Sequence, residues 1–260
     1  NLDRRPDRWT AMSAQLDRLG ISAERIPAVD ARLLAAQEGR GQGTNDDSPG
    51  YKLSLGEVAC TWSHRKALRA FLDTGEHAAL ILEDDVELAP DTPSLLESAE
   101  WWPPDAHAVR LEDGCLQPRN LLLLWPASAE TPSGRSVRRL ERFATGTAAY
   151  LINREAAAFV LPHLEKPTIP LDHLFFDNRR SLLAHNQLKS FQIVPAAAMQ
   201  IEGEGSSDIH VWRQDSQRKW PKYGRLRGRQ IFFYRIRMKA LRFAGKVKPI
   251  HVYYSRNAAV

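Results

Sequence analysis

Ala78-Ala79-Leu80-Ile81-Leu82-Glu83-Asp84-Asp85 is the stretch on which the fold turns. Its apolar half is far too short to span a membrane, which takes about 20 residues, and suits a strand covered on both faces. It ends in three consecutive carboxylates. In open α/β sheets, ligands gather outside the carboxyl ends of the strands. Three adjacent negative charges there repel one another unless a cation neutralises them. Hard oxygen ligands, completed by phosphate and water, suit Mg²⁺ or Mn²⁺. On an extended segment, side chains two apart face the same way, so Glu83 and Asp85 are expected to converge while Asp84 points elsewhere. On this feature alone, a solvated acidic loop is the plain alternative.

Upstream, Ser54-Leu55-Gly56-Glu57 has the S-x-x-E spacing of a capping box and opens a helix carrying Val58, Trp62, Leu68, Phe71 and Leu72. Glu57 and His64 lie two turns apart on one face of it. At the start of the chain, Asn1 to Pro6 reads as a strand end and turn, followed by a helix with Pro6 in its first turn and Gly20 at its end. Glu38 to Gly50 is polar and reads as a loop.

Downstream, strands are expected at Ala108–Leu111, Leu121–Trp125, Val137–Phe143, Ala148–Ile152 and Phe191–Val194. Helices are expected from Asn153 through Leu161 and from Leu171 towards Leu183. This alternation predicts an α/β fold with a mainly parallel sheet flanked by helices. With 43% hydrophobic and 26% charged residues among 260, collagen-like, disordered and membrane-spanning classes are set aside. Cys60 and Cys115 make no disulfide framework and read as thiols in a reducing cytoplasm. The chain opens on Asn1, so a segment preceding it is not excluded.

The ordered motifs resemble glycosyltransferase family 25, the lipooligosaccharide galactosyltransferase-like enzymes, over most of residues 1–210. The carriers are NLDRRPDR at Asn1–Arg8, IPAVD at Ile26–Asp30, LSLGEVACTWSH at Leu53–His64 and ALILEDDV at Ala79–Val86. GTAAYLI at Gly146–Ile152, PLDH at Pro170–His173 and SSDI at Ser206–Ile209 complete the set. The resemblance implies a GT-A fold, a UDP-sugar donor and a divalent cation, usually Mn²⁺, with Glu-Asp-Asp in place of the D-x-D motif. Glu83 and Asp85 would hold the metal and Asp84 would support the site. His210, with His173 competing, would supply a further ligand.

The resemblance also places Asn1, Leu2, Asp3, Arg4, Arg8, Glu57, Ser63, His64, Gln200 and Ser207 around the donor. Most of these arginines read equally as solvated helix-start residues, Glu57 as a cap and His64 as a satisfied, partly buried histidine. Asp172 matches the aspartate that would meet the acceptor hydroxyl, and its alternative reading is a helix N-cap. Since the family is inverting, Asp172 is the candidate general base, with Glu112 and Asp113 behind it. Where the family tends to carry a further glycine, this chain has Ala148 or Ala149, which leaves the donor sugar open.

Residues 218–260 carry 13 basic and no acidic side chains, while the preceding 217 carry 23 basic and 31 acidic. The expected division is therefore a catalytic domain over 1–217 and a basic amphipathic extension over 218–260. A basic helix with aromatics reads as membrane-surface binding, which would place a cytoplasmic protein peripherally on the inner face. Folding back onto the acidic body is the other reading of this tail. No nucleic-acid module accompanies the charge. The function expected is metal-dependent transfer of a hexose, galactose from UDP-galactose, to a lipooligosaccharide or lipopolysaccharide glycan. A metal-dependent nucleotidyl or phosphoryl transferase and a catalytically silent glycan-binding adaptor are the competing readings.

Overall fold

The computed structural model describes residues 1–37, 53–113, 121–141, 143–177, 189–201 and 228–258, with side chains from 236 onward in the last segment. Ser207 and His210, the loop at 38–50, the 217/218 boundary and the helix expected beyond Asp177 lie outside these residues. The helices are α1 (Pro6–Leu19), α2 (Ala31–Gln37), α3 (Leu55–Asp73), α4 (Ser94–Glu97), α5 (Arg154–Val160), α6 (Leu171–Phe176) and α7 (Gly228–Phe243). The strands are β1 (Ala78–Leu82), β2 (Val86–Leu88), β3 (Ala108–Arg110), β4 (Leu121–Glu130), β5 (Ser136–Leu140), β6 (Ala149–Asn153), β7 (Ser190–Val194), β8 (Ala198–Gln200) and β9 (Lys248–His251).

Local chemistry accounts for the two helices that matter most to the site. Helix α1 starts with Pro6 at its first position and ends at Gly20, whose φ of 68° lies in the left-handed region. Its Gln15 side chain donates to Val86 O at 2.8 Å and accepts from Leu88 N at 2.8 Å. The helix thereby docks onto both ends of β2. Helix α3 begins with the expected capping box: Ser54 Oγ accepts from Glu57 N, and Glu57 Oε2 accepts from Ser54 N at 2.9 Å.

Seven strands form one sheet in the order β1-β6-β3-β7-β5-β4-β9, and β2 pairs with β8 separately. Alternate residues of β6 feed two cores. Tyr150 and Ile152 join Leu68, Phe71, Phe175 and Phe176 under α3, α5 and α6. Ala149 and Leu151 join Met12, Leu16, Val86, Val109 and Phe191 on the α1 side. The α/β fold with flanking helices is thus as expected. The strand directions are more mixed than the alternation predicts. Among the described strands β3 and β7 pair in parallel, whereas β1/β6, β3/β6, β4/β5, β5/β7 and β4/β9 are antiparallel. One cause is local: β4 and β5 form a hairpin closed by a turn in which Thr131 N bonds Arg135 O, and a hairpin is antiparallel by construction.

The tail adopts the expected helix, but its end does something periodicity did not show. Strand β9 pairs with β4 from Leu121↔His251 to Leu124↔Lys248, and Val247 and Val252 are buried. On α7, Arg237 Nη1 donates to the buried Glu141 at 2.8 Å. Residues 237–252 therefore fold back onto the body, and Ile236 and Phe243 stay exposed.

Candidate active site

Strand β1 ends at Leu82, and Glu83 N is still held by Ala148 O at 2.8 Å. Asp84 and Asp85 then turn the chain towards β2. Because this is a turn and not an extended segment, the alternation of side chains does not apply. All three carboxylates face one cavity, so Asp84 does not point elsewhere as expected. The cavity is lined from the N-terminal turn by Asn1, Leu2 and Arg4, from α1 by Arg8, from α3 by Cys60, Ser63 and His64, and from the edge of β8 by Gln200.

Each carboxylate has a distinct set of partners. Asp84 receives Asn1 Nδ2 at 2.5 Å and Arg8 Nη1 at 3.0 Å. Asp85 lies 3.8 Å from the same Arg8 nitrogen and receives Gln200 Nε2 at 3.4 Å. Burial, and then the charge of Glu83, push the Asp85 carboxyl up to about 7. Glu83 Oε1 accepts from Thr147 Oγ1 at 3.2 Å and faces His64 Nε2 at 3.3 Å. The other ring nitrogen of His64 meets Tyr150 OH at 2.9 Å, and burial holds that phenol well above its ordinary range, so it stays protonated.

The remaining residues picked out from the sequence divide by location. Asn1 is locked by Arg25 on its Oδ1 at 2.8 Å and by its amino group on Ile26 O at 3.2 Å. Ser63 Oγ accepts from Val29 N at 2.9 Å, tying the 26–30 segment to α3. Arg4 pairs with Asp30 at 2.6 Å, and the exposed Asp3 pairs with Arg25 at 2.6 Å. Glu57 is buried in its capping box and does not line the cavity. His173 stacks on Phe143 with centroids 4.2 Å apart and bonds the buried Asp177 at 3.3 Å, away from the acidic turn's cavity.

Asp172 lies in the first turn of α6, whose N-cap is Pro170, so it is not the cap considered from the sequence. Its Oδ1 accepts from His173 N at 2.8 Å and its Oδ2 from Gly146 N at 3.3 Å. Glu112, which is buried, accepts from Ala148 N at 2.9 Å. The short turn Gly146-Thr147-Ala148 thus holds three carboxylates: Asp172, Glu83 and Glu112. Burial pushes Glu112 up to about 7, partly offset by Arg110 3.6 Å away. Arg110 itself is fully buried and donates to Glu112 O at 2.6 Å and to Gln192 Oε1 at 2.8 Å.

The acidic turn thus faces a tethered N-terminal turn, with no strand at residues 1–5. The profile of glycosyltransferase family 25 (LPS biosynthesis protein) matches residues 1–175. The chain belongs to glycosyltransferase family 25. A glycosyltransferase 25 family member of Aedes aegypti is 34% identical over 97 residues, which are 35% of this chain and 16% of that protein. The lacto-N-neotetraose biosynthesis glycosyltransferase LgtB of Neisseria gonorrhoeae is 31% identical over 135 residues, 48% of this chain and 47% of the relative. A probable inactive family 25 member 3 of Bos taurus is 34% identical over 104 residues, 37% of this chain and 17% of that protein. The matches thus span about half the length of the bacterial relative and about a sixth of the insect and cattle proteins.

Two features of the family 25 site escaped the sequence. Cys60 and His64 are four apart on α3, a spacing that puts them on one face, yet Cys60 was read only as a thiol. Among the described residues, Cys60, His64 and Glu83 are the group of three potential metal-ligating side chains whose donor atoms lie within 4.8 Å of one another. Tyr150 and Thr147 stand within the GTAAYLI motif, but their contacts with His64 and Glu83 depend on β6 lying beside β1.

Proposed function

We propose that this chain is a metal-dependent inverting glycosyltransferase that moves a hexose, galactose from UDP-galactose, to a lipooligosaccharide-type glycan on a GT-A scaffold. The observation that carries the reading is the single cavity where the acidic turn 83–85, the N-terminal turn and α3 meet. The lipopolysaccharide description of the family and the name of LgtB support the acceptor class.

Glu83 and Asp85 fit a divalent cation, since Asp85 is buried beside another carboxylate and, among the described residues, its ion-pair partner is Arg8 at 3.8 Å. These two residues would hold Mn²⁺ or Mg²⁺, and the ion would supply charge stabilisation for the departing diphosphate. Arg8, bonded to Asp84 at 3.0 Å, would meet phosphate beside the acidic turn. Asn1, Leu2 and Ser63 line the cavity where the nucleoside would lie.

Asp172 acts as the base in this proposal. The Gly146 N–H ties one oxygen of its carboxylate to that turn, and the His173 N–H of α6 holds the other. An acceptor hydroxyl oxygen forms a bond to the sugar's anomeric carbon as the bond to the diphosphate breaks. UDP leaves with the bonding electron pair, and the hydroxyl proton passes to Asp172. The testing experiment is a panel of UDP-sugars with Mn²⁺, scored by thermal stabilisation and by UDP release. Release with UDP-galactose and a glycan acceptor supports the assignment. Pyrophosphate release would instead point to nucleotidyl transfer.

A silent glycan-binding role has one observation in its favour, the inactive designation of the cattle relative. It predicts UDP binding without turnover across the whole panel. Peripheral membrane attachment through α7 completes the proposal, resting on its exposed Lys239, Arg242 and Phe243.

A further inference from the structure

We propose that Cys60, His64 and Glu83 form a binding site for a thiophilic divalent ion, of which Zn²⁺ is the natural occupant, distinct in chemistry from the all-oxygen pair of Glu83 and Asp85. Thiolate, imidazole and carboxylate together are a zinc donor set, whereas Mg²⁺ and Mn²⁺ prefer oxygen. Cys60 and His64 stand one helical turn apart on α3, and Glu83 reaches them from the end of β1. All three line the cavity, so a fourth coordination position opens onto water or an incoming ligand oxygen.

The geometry is close to what one ion requires. His64 Nε2 and Glu83 Oε1 are 3.3 Å apart. A tetrahedral ion with bonds of about 2.0–2.1 Å has an edge of roughly that length. With every donor pair within 4.8 Å, Cys60 Sγ closes the triangle by a shift of about 1 Å, within reach of side-chain torsions.

Two ligands already have the outer partners that ordered metal sites use. Tyr150 OH, fully buried, meets the other nitrogen of His64 at 2.9 Å and would fix the ring with Nε2 as the ligand atom. Thr147 Oγ1 orients Glu83 at 3.2 Å.

The site has a consequence that rests on the proposed function. Glu83 is shared with the oxygen-ligand pair, so Zn²⁺ held by Cys60 and His64 would withdraw it and inhibit transfer.

The test uses the full chain without any donor, titrated with Co²⁺ as a spectroscopic probe. Stoichiometric binding with a thiolate-to-cobalt charge-transfer band is expected. The band is expected to vanish in Cys60→Ser, persist in Cys115→Ser, and require about tenfold or more Co²⁺ in Tyr150→Phe. In unaltered protein, Zn²⁺ but not Mg²⁺ is expected to protect Cys60 from alkylation, read by peptide mapping. Absence of the band, its survival in Cys60→Ser, or unprotected Cys60 would overturn the site. Sugar transfer is not part of this readout, so a chain that binds Co²⁺ but transfers nothing sinks only the enzymatic proposal.

Discussion

Gly146 lies so close over Glu112 that a Cβ built on it would stand 2.6 Å from Glu112 Oε2. Its φ of 90° is in the region that side chains disfavour, so contact and conformation both demand glycine there. Gly146→Ala is expected to lower the melting midpoint by roughly 5–10 °C, from strain of about 1–3 kcal/mol plus displacement of a buried carboxylate. Thermal unfolding measures it. A midpoint within 1–2 °C of the parent, by the same order-of-magnitude reasoning, would show that the turn yields freely.

Glu112 gives the protein a pH slope of definite sign. Its carboxyl is raised from 4.5 to about 7 by burial, so between these values the folded chain holds a proton that the unfolded chain has lost. Stability of the metal-free protein is therefore expected to fall as pH rises from about 4.5 to 7. Glu112→Gln keeps an acceptor for Ala148 N and should flatten the slope. Asp85 adds a slope of the same sign, so the double variant with Asp85→Asn should be flatter still. Urea denaturation across that range decides it, and an unchanged slope in both variants would refute the cause.

Removal of the proposed base should separate chemistry from binding. Asp172→Asn retains an oxygen for only one of the Gly146 and His173 N–H groups, which bond different carboxylate oxygens, and is expected to cut kcat by about 10²–10⁴ with little change in donor KM. Steady-state transfer assays read both constants. Near-normal kcat would return the role to Glu112 or Asp113.

Asp85→Ala is expected to abolish transfer and Mn²⁺-dependent stabilisation by UDP, while relieving the buried charge and leaving the fold intact. Arg8→Ala should raise donor KM more than it lowers kcat. Isothermal titration with UDP and Mn²⁺ checks binding by Asp85→Ala and steady-state transfer assays check the Arg8→Ala constants; wild-type binding by Asp85→Ala would contradict the proposed metal role.

The tail offers a test that spares the fold. Lys239 and Arg242 are exposed on α7, whereas Arg237 is engaged with Glu141. Lys239→Glu with Arg242→Glu is expected to weaken binding to anionic vesicles severalfold at unchanged melting temperature. Flotation against neutral vesicles supplies the comparison. Equal binding by both proteins would dismiss the surface role.

Much of this was readable before any coordinates. The capping box at Ser54–Glu57, the Pro6–Gly20 limits of α1 and the strand preceding Glu83 are local rules, written in neighbouring residues. The alternation of side chains along a strand stops at Leu82 and does not reach the 83–85 carboxylates, because Asp84 and Asp85 turn the chain. Strand β9 was hidden in an amphipathic basic stretch, since its partner β4 lies more than 100 residues earlier.

By itself, the order of residues determined the limits of α1 and the start of α3, the acidic end of β1 and the family, because spacing and capping act within a few residues. Only the tertiary structure decided that Gly146-Thr147-Ala148 gathers Asp172, Glu83 and Glu112, and that Cys60 and His64 face Glu83. Those meetings depend on which strands lie side by side, and strand pairing is settled by burial across the whole sheet.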